Sequence, residues 1–589
     1  MKSSKTIVEE YLKQKDWRVK ENSSNPFSYG GLNKYTIGEV HKDYWLREVY
    51  PENISQAYVN NYIHIHDLGG LTLYCCGYSL RDILLKGVRG VKNIPTSSPA
   101  KHFDSALNQI ANLLTIFQNE IMGAVALNSF DTLLAPFIKN DRLTYEEVKQ
   151  SMQNYIYSIN SNSRMGAEPA FSNITFDLTP PNDLLDEYVI IGGEPQSFTY
   201  RSCQREMDML NKAFFEIMLH GDSSGKLFSY PIPTYNIHER FDWDNPNNKL
   251  LWELTGKFGT PYFANYINSD MSPEDARSMC CRIRLDLREL RKRNGGLFGS
   301  GDSTGSIGVV TINLPRIAYE NKMDKPKFFE TLNKYLNIAK ESLIIKREWL
   351  QKNIIETNAI PAYMEYVGTL DNHFSTIGIV GMNEMCENFF SDNANILTEK
   401  GKAFAEEVGE YIRNTLVEFQ EETGNLFNYE ATPAESTSYR LALNDLKTYP
   451  DIRTQGSGKD CYYTNSCHIP VKLIEGIDET FKHQETLQSQ FTGGTVIHLM
   501  MDGAITGEQA KEIIKTMLTT YTIPYMSISP ISRFCDEHGY IEDRVDKCPI
   551  CKNKLKKYQR ITGYLRCEEG YNRGKHAEFK DRKQLSYNS

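Results

Sequence analysis

The sequence predicts an α/β fold with mostly parallel strand pairing, followed by a small metal-binding module at the C-terminal end. Three observations predict it. Apolar stripes with helical spacing alternate with short, β-branched apolar runs, the pattern of buried strands covered by helices. Near 525–535 the style breaks, and the sequence becomes short, charged and cysteine-rich. Ahead of that break no clean linker, repeat or low-complexity tract appears, so one large catalytic domain over 1–529 and a module over 530–589 are expected.

YIHIHDL (62–68) reads as a strand, and Leu107, Ile110, Leu114, Phe117 and Ile121 step by three and four as one helix face requires. AFSNITFDL (170–178) and IGVVTINL (307–314) read as strands, several of the runs being apolar enough for burial on both faces. Leu332, Leu336, Ala339 and Leu343 mark a second helix, and Phe404, Val408 and Ile412 a third. TVIHLMM (495–501) is the last strand of the main body.

Composition bounds the function. The 589 residues are 40% hydrophobic and 24% charged, enough for a large core without disulfides. No run approaches 18 apolar residues, and MKSSKTIVEEYLKQKD lacks the apolar core of a signal peptide, so a cytoplasmic protein with no membrane partner is expected. In that reducing compartment the 12 cysteines are expected as thiols, metal ligands or catalytic groups. The net charge is −9; residues 551–589 hold 11 Lys/Arg against 4 Asp/Glu, a local +7, which leaves −16 on the rest. Such an acidic body argues against DNA as a partner. The basic end reads as a solvated tail, or else as a surface for phosphates or an acidic partner.

Cys535-x2-His538, with Cys548-x2-Cys551 after it, has the spacing of a closed tetrahedral zinc site. Each x2 turn lets two side chains face one ion, and Gly539 and Pro549 suit tight turns. With no open position, the metal is expected to be structural and to hold the next segment of the chain.

That segment contains Arg560-Ile561-Thr562-Gly563-Tyr564-Leu565-Arg566. This run resembles the glycyl-radical motif of the glycyl radical enzymes, and the zinc knuckle before it resembles the anaerobic (class III) ribonucleotide reductases. The resemblance continues in HDLGG…YCCGYSL (66–80), FSNITFDLTPP (171–181), YPIPTYNI (230–237) and MCCRIRLDLREL (279–290). It extends through GGLFGSGDSTGSIGVVTINLPR (295–316), ATPAESTSYRLA (431–442), YYTNS (462–466), TGGTVIH (492–498) and FKDRK (579–583).

The resemblance implies anaerobic reduction of ribonucleoside triphosphates to deoxynucleotides on a ten-stranded α/β barrel of two five-stranded half-sheets with finger loops. It implies a radical stored at Gly563, where the α-carbon lies between an amide nitrogen and a carbonyl and no side chain opposes planarity. By resemblance the relay thiol is Cys75, expected on a loop after the YIHIHDL strand. The second thiol is Cys281, in Met279-Cys280-Cys281-Arg282. Cys76 and Cys280, their neighbours, are expected to be structural or have no assigned role. Asn313 is expected to hydrogen-bond the ribose or an incoming reductant. Glu435 is expected to orient or deprotonate a hydroxyl, or to cap a helix. Further implications are a homodimer, deoxynucleotide or ATP effectors and either formate or a thioredoxin-like protein as reductant. A separate activase would carry a 4Fe–4S cluster and use S-adenosylmethionine. The helical region around 105–165 is the guess for the effector site. Family-like sequence begins near residue 25, so no ATP-cone domain and no dATP shut-off through one are expected.

Other readings have less in their favour. The Gly-rich run 295–308 lacks the Gly-Lys-Ser/Thr of a P-loop, though its amides suit a triphosphate or a mobile loop. His64, His66 and Asp67 resemble a metal set, but strand alternation is expected to turn Asp67 away from both histidines. A pyruvate formate-lyase type enzyme would not need the zinc knuckle or two separated cysteine loops. A zinc-ribbon nucleic-acid binder is disfavoured by the acidic body.

Overall fold

The computed structural model of the chain describes residues 2–14, 27–91, 94–161, 168–268, 303–392 and 394–587, with the backbone of 276–278 and 284–286. Ten strands form its centre. The first five are β1 (Cys75–Tyr78), β2 (Val125–Leu127), β3 (Ser172–Phe176), β4 (Ile232–Ile237) and β5 (Tyr262–Asn265). The second five are β6 (Gly305–Asn313), β7 (His373–Val380), β8 (Leu426–Glu430), β9 (Ile497–Met501) and β10 (Tyr525–Pro530).

Neighbours within β1 to β5 pair in parallel, as do β6 with β7, β7 with β8 and β9 with β10. The halves meet antiparallel, where Ser306 faces Cys75 and where Tyr525 faces Ala264. Between β8 and β9 the ring closes through backbone bonds from Gly493 N to Tyr429 O (2.7 Å) and from Ala431 N to Gly494 O (2.7 Å). The result is the expected barrel of two five-stranded half-sheets.

Alternation along each strand separates two environments. Tyr235, Ile237, Phe263, Met526 and Ile528 face outward into the core shared with the helices. Their neighbours Thr234, Asn236, Ser527 and Ser529 are buried yet polar, and face the barrel interior. The strands are therefore buried on both faces, as expected, and the inner face mixes polar side chains with apolar ones such as Phe374, Leu426 and Ala264.

Helices α1 (Phe103–Gln118), α2 (Tyr145–Ile159), α3 (Lys325–Leu350) and α4 (Glu399–Thr423) supply covering faces. Ile121 lies beyond the end of α1, although the stripe predicted it inside. The strand of YIHIHDL is short, Ile63–Ile65, and pairs antiparallel with β6 outside the ring. Among the described residues no helix is long and apolar enough to cross a membrane.

The C-terminal part holds a four-stranded antiparallel sheet: β11 (Ser532–Cys535), β12 (Gly539–Ile541), β13 (Lys556–Arg560) and β14 (Leu565–Cys567). Only Ile531 separates it from β10, and the end of the chain is stitched to the barrel. Leu585 N donates to Met500 O (2.7 Å), and Lys583 N to Val471 O (3.0 Å). The solvated-tail reading is corrected at two cations. Lys575 and Arg582 are buried and both pair with Glu578, at 2.5 and 2.9 Å. A charge count along the sequence cannot see such pairing.

Candidate active site

The β13–β14 hairpin pairs Arg560 with Leu565 and leaves Ile561 to Tyr564 as its loop. Gly563 is not in the left-handed region, so turn geometry does not require a glycine here. The loop is held against the barrel from several directions. The Tyr262 hydroxyl, from β5, donates to Gly563 O, which also accepts from Arg560 Nη1 at 3.2 Å. Arg560 stacks over the Tyr262 ring at 3.9 Å and donates to Gly259 O (2.6 Å) and Thr260 O (2.7 Å). His498, on β9, places Nε2 2.7 Å from Thr562 O and Nδ1 2.7 Å from Ser527 Oγ. A carbonyl only accepts, so Nε2 carries the hydrogen.

Glu435 occupies the cap position of α5 (Ser436–Thr448), but its side chain makes no capping bond. Instead it accepts from Thr562 Oγ1 at 3.2 Å and lies 3.6 Å from Arg566 Nη1. Burial pushes its carboxyl above the ordinary glutamate range, while Arg566 and Lys575 pull it back. Glu435 thus spans the glycine from both sides in sequence.

Cys75 is not on a loop. It opens β1, fully buried, with Ala124, Ala126, Phe374 and Leu426 around it. Two adjacent cysteines and a glycine carry no strand signal; pairing with β2 and β6 imposes the conformation. Cys76 faces the outer core, where burial raises its thiol pKa strongly. At Gly123 a Cβ would lie 2.4 Å from Cys75 Sγ, so the neighbouring backbone can approach the thiol only as glycine. Phe171 packs against the Cys75 cluster and against Tyr564 beside Gly563, with ring centroids 6.1 Å apart in the second contact. Two places beyond Leu426, Asn428 is 1% exposed and neither amide atom has a partner. Asn173 Oδ1, on β3, also has none.

Lys346 was not singled out by the sequence, although a signal existed. It continues the Leu332, Leu336, Ala339, Leu343 stripe of α3 at a core position. It fits because a Cβ at Gly308 would lie 2.9 Å from its Nζ. Burial lowers its pKa from the ordinary 10.5 to about 8, with Asp67 and Cys75 opposing the shift. Between those two values the folded chain binds fewer protons here than the unfolded chain, so stability rises with pH across the window. The expected rise is about 3 kcal/mol. Denaturant midpoints from pH 7.5 to 10.5 should show it in the wild type and lose it in Lys346→Met; parallel curves for the two chains would refute it.

Other expected residues have different surroundings. Asn313 Nδ2 donates to Asp445 Oδ2 and to Asn61 O, both at 2.7 Å, and its Oδ1 accepts from Arg316 N at 3.4 Å. These partners occupy both amide hydrogens and make Asn313 the cap of the helix that follows β6. His64 contacts Arg440 Nη1 at 3.0 Å, and His66 contacts Thr311 Oγ1 at 2.8 Å. Asp67 lies beyond the strand with φ of 52°, so the alternation argument does not reach it. Cys280, Cys281 and the Gly-rich stretch up to residue 302 lie outside the described residues.

The soft-ligand cluster is assembled as the spacing required. The ligand atoms of Cys535, His538, Cys548 and Cys551 lie within 4.8 Å of one another. His538 Nδ1 is 3.6 Å from both Cys535 Sγ and Cys548 Sγ, and Cys535 Sγ is 3.5 Å from Cys551 Sγ. Tetrahedral zinc, with Zn–S about 2.3 Å and Zn–N about 2.0 Å, has S···N edges of about 3.5 Å and S···S edges of about 3.8 Å. The residues present therefore fit such an ion. Gly539 comes directly after His538 with φ of 68°, the turn that the knuckle needs.

A ring of two parallel half-sheets holding a glycine turn matches the folds of the glycyl radical enzymes. The fold extends to the hydroxyproline dehydratase of Clostridioides difficile, at a TM-score of 0.58 and 11% identity over 97% of this chain and 88% of that one. Within this class the chain belongs to the anaerobic ribonucleoside-triphosphate reductase family, whose sequence profile matches residues 21–585. These enzymes are oxidoreductases. The anaerobic ribonucleoside-triphosphate reductase of Salmonella typhimurium is 23% identical over 602 residues, spanning 92% of this chain and 80% of its own. The anaerobic ribonucleotide reductase of Thermotoga maritima superposes with a TM-score of 0.75 at 21% identity, covering 96% of this chain and 94% of that one.

Proposed function

We propose that a radical stored on the α-carbon of Gly563 passes through a cysteine thiol to a ribonucleoside triphosphate held in the barrel. The observation that supports it most is the grip of inner-face side chains on a turn whose backbone does not need glycine. A thiyl takes the 3′-hydrogen of the ribose, forming S–H and leaving a carbon radical. The 2′-hydroxyl then takes up a proton and departs as water, the second thiol gives hydrogen to C2′, and the first thiol returns its hydrogen to C3′, so that the radical goes back through that thiol to Gly563. The two electrons of the net reduction come from formate or from a dithiol protein of the thioredoxin type.

Cys75 and Cys281 are the two thiols. Asn428 and Asn173 offer buried hydrogen-bonding atoms to the ribose hydroxyls or the reductant. Glu435 acts as a positioning group, and the hydroxyl it receives is that of Thr562. Zn²⁺ at Cys535, His538, Cys548 and Cys551 keeps the hairpin base folded. Activation requires a radical S-adenosylmethionine enzyme with a 4Fe–4S cluster. Thermotoga maritima structures carry dATP in a specificity site, and dATP with CTP; by analogy this chain takes deoxynucleotide or ATP effectors, as a cytoplasmic homodimer.

Anaerobic activation followed by electron paramagnetic resonance and air exposure tests the reading. A glycyl doublet is expected, then cleavage at Gly563 that frees the 26 residues after it. An intact chain after demonstrated activation would overturn the site. Cys75→Ala and Cys281→Ala should both keep the doublet and both lose deoxynucleotide formation. Release of tritium from the 3′ position should persist only in the variant that retains the abstracting thiol, which assigns the relay.

A further inference from the structure

The grip on the glycine turn is chemically selective. Two carbonyls flank the Gly563 α-carbon, and each receives a hydrogen bond from a barrel side chain. Gly563 O accepts from the Tyr262 hydroxyl and from Arg560 Nη1, at 3.2 Å. Thr562 O accepts from His498 Nε2 at 2.7 Å. Tyr262 and His498 are on different strands, β5 and β9, and neither belongs to the motif around the glycine. Each is itself oriented. Arg560 lies 3.9 Å above the Tyr262 ring and is fixed by two carbonyls, and His498 Nδ1 is 2.7 Å from Ser527 Oγ.

We infer that Tyr262, Arg560 and His498 tune the electronic structure of the Gly563 radical, resting on the reading that Gly563 is where the radical is stored. An unpaired electron on this α-carbon spreads into the Gly563 carbonyl and receives density from the Gly563 nitrogen. A hydrogen bond to Gly563 O makes that carbonyl the better acceptor, draws spin from carbon to oxygen and weakens the C–H bond to be broken. A hydrogen bond to Thr562 O acts in the opposite sense, because it pulls the lone pair of the Gly563 nitrogen toward the Thr562 carbonyl. Together the bonds also fix the planes of the two peptides, whose overlap with the radical centre requires coplanarity. The guanidinium over the Tyr262 ring withdraws density from the phenol and strengthens it as a donor. These three are positioning and tuning residues; they exchange no atoms with substrate.

The test is the line shape and lifetime of the radical in the full chain, activated anaerobically. Tyr262→Phe deletes one donor while keeping the ring; it should return spin to the α-carbon, widen the α-hydrogen doublet and shorten the radical half-life several-fold. His498→Leu, which removes the donor to Thr562 O, should narrow the doublet and lengthen the half-life, the opposite sense. In deuterium oxide, electron–nuclear double resonance of the wild type should show, beyond the deuteron of the Gly563 amide itself, exchangeable deuterons coupled through Gly563 O, one lost in Tyr262→Phe. That wild-type measurement decides the matter even if a variant fails to fold. A wild-type doublet whose one coupled exchangeable deuteron is that of the Gly563 amide, or an unchanged splitting in both variants, overturns the inference and leaves Gly563 as the radical site. Absence of any doublet in the wild type, with activation demonstrated on a known partner, overturns the underlying reading instead.

Discussion

Gly563→Ala is expected to abolish deoxynucleotide formation and the radical signal while leaving the fold intact. Two features separate this from an ordinary glycine substitution. The backbone at Gly563 is outside the left-handed region, so alanine meets no conformational barrier of the kind that usually makes such changes costly. The hairpin around it is held by side-chain bonds to carbonyls and by Glu435, none of which involves the glycine α-hydrogen. What alanine removes is the ability of the α-carbon to become planar without a side-chain clash. Thermal unfolding of the variant should superimpose on that of the wild type, and anaerobic activation should yield no doublet and no oxygen-dependent cleavage. Residual turnover above background in the variant would show that the radical resides elsewhere.

Removing the metal is the second large effect. The knuckle has almost no core of its own: Cys535, Ile541, Cys548 and Leu555, with Cys551 against them, form its entire apolar cluster. Three of those five are ligands. Domains this small are normally held by a metal, whose binding supplies about 10–16 kcal/mol of folding free energy in comparable modules. Chelation, or Cys548→Ser, should therefore unfold the knuckle while the barrel persists on its own cores. The damage reaches Gly563 because β11 pairs with β13, Phe534 with Lys556 and Ser532 with Tyr558, and β13 leads into the glycine turn. The expected result is new protease cleavage within 536–555, little change in far-ultraviolet dichroism and a glycyl radical yield reduced to a small fraction. A metal-free chain that activates to the same spin count would refute a structural role for the ion.

The legible part of the site is the part made of neighbours in sequence. Cys535 to Cys551 spans one knuckle, so spacing alone constrains the geometry, and the ligand atoms converge as expected. The stripes of α1, α3 and α4 were legible for the same reason: helical contacts with the core repeat every three or four residues. The partners of Asn313 were not legible, because an amide at a strand end facing a site and one capping the next helix look identical until Asp445, 132 residues later, is placed beside it. Cys75 was legible as a chemical group but not as a strand residue, since β1 owes its conformation to its partners.

By itself the sequence determined the α/β class, the covering helices, the metal knuckle and the glycine beyond it. The first three rest on local periodicity or spacing, which the chain carries at short range, and the glycine on the resemblance of its motif. Only the tertiary structure decided what surrounds that glycine. Tyr262 is 301 residues from it, and Glu435 and His498 are 127 and 64 residues from Thr562. Tyr262 and His498 face inward from strands buried on both faces, so burial could not distinguish the barrel interior from the core. Closing the ring did so, because it placed one face of the strands against the helices and turned the other toward the turn that holds Gly563.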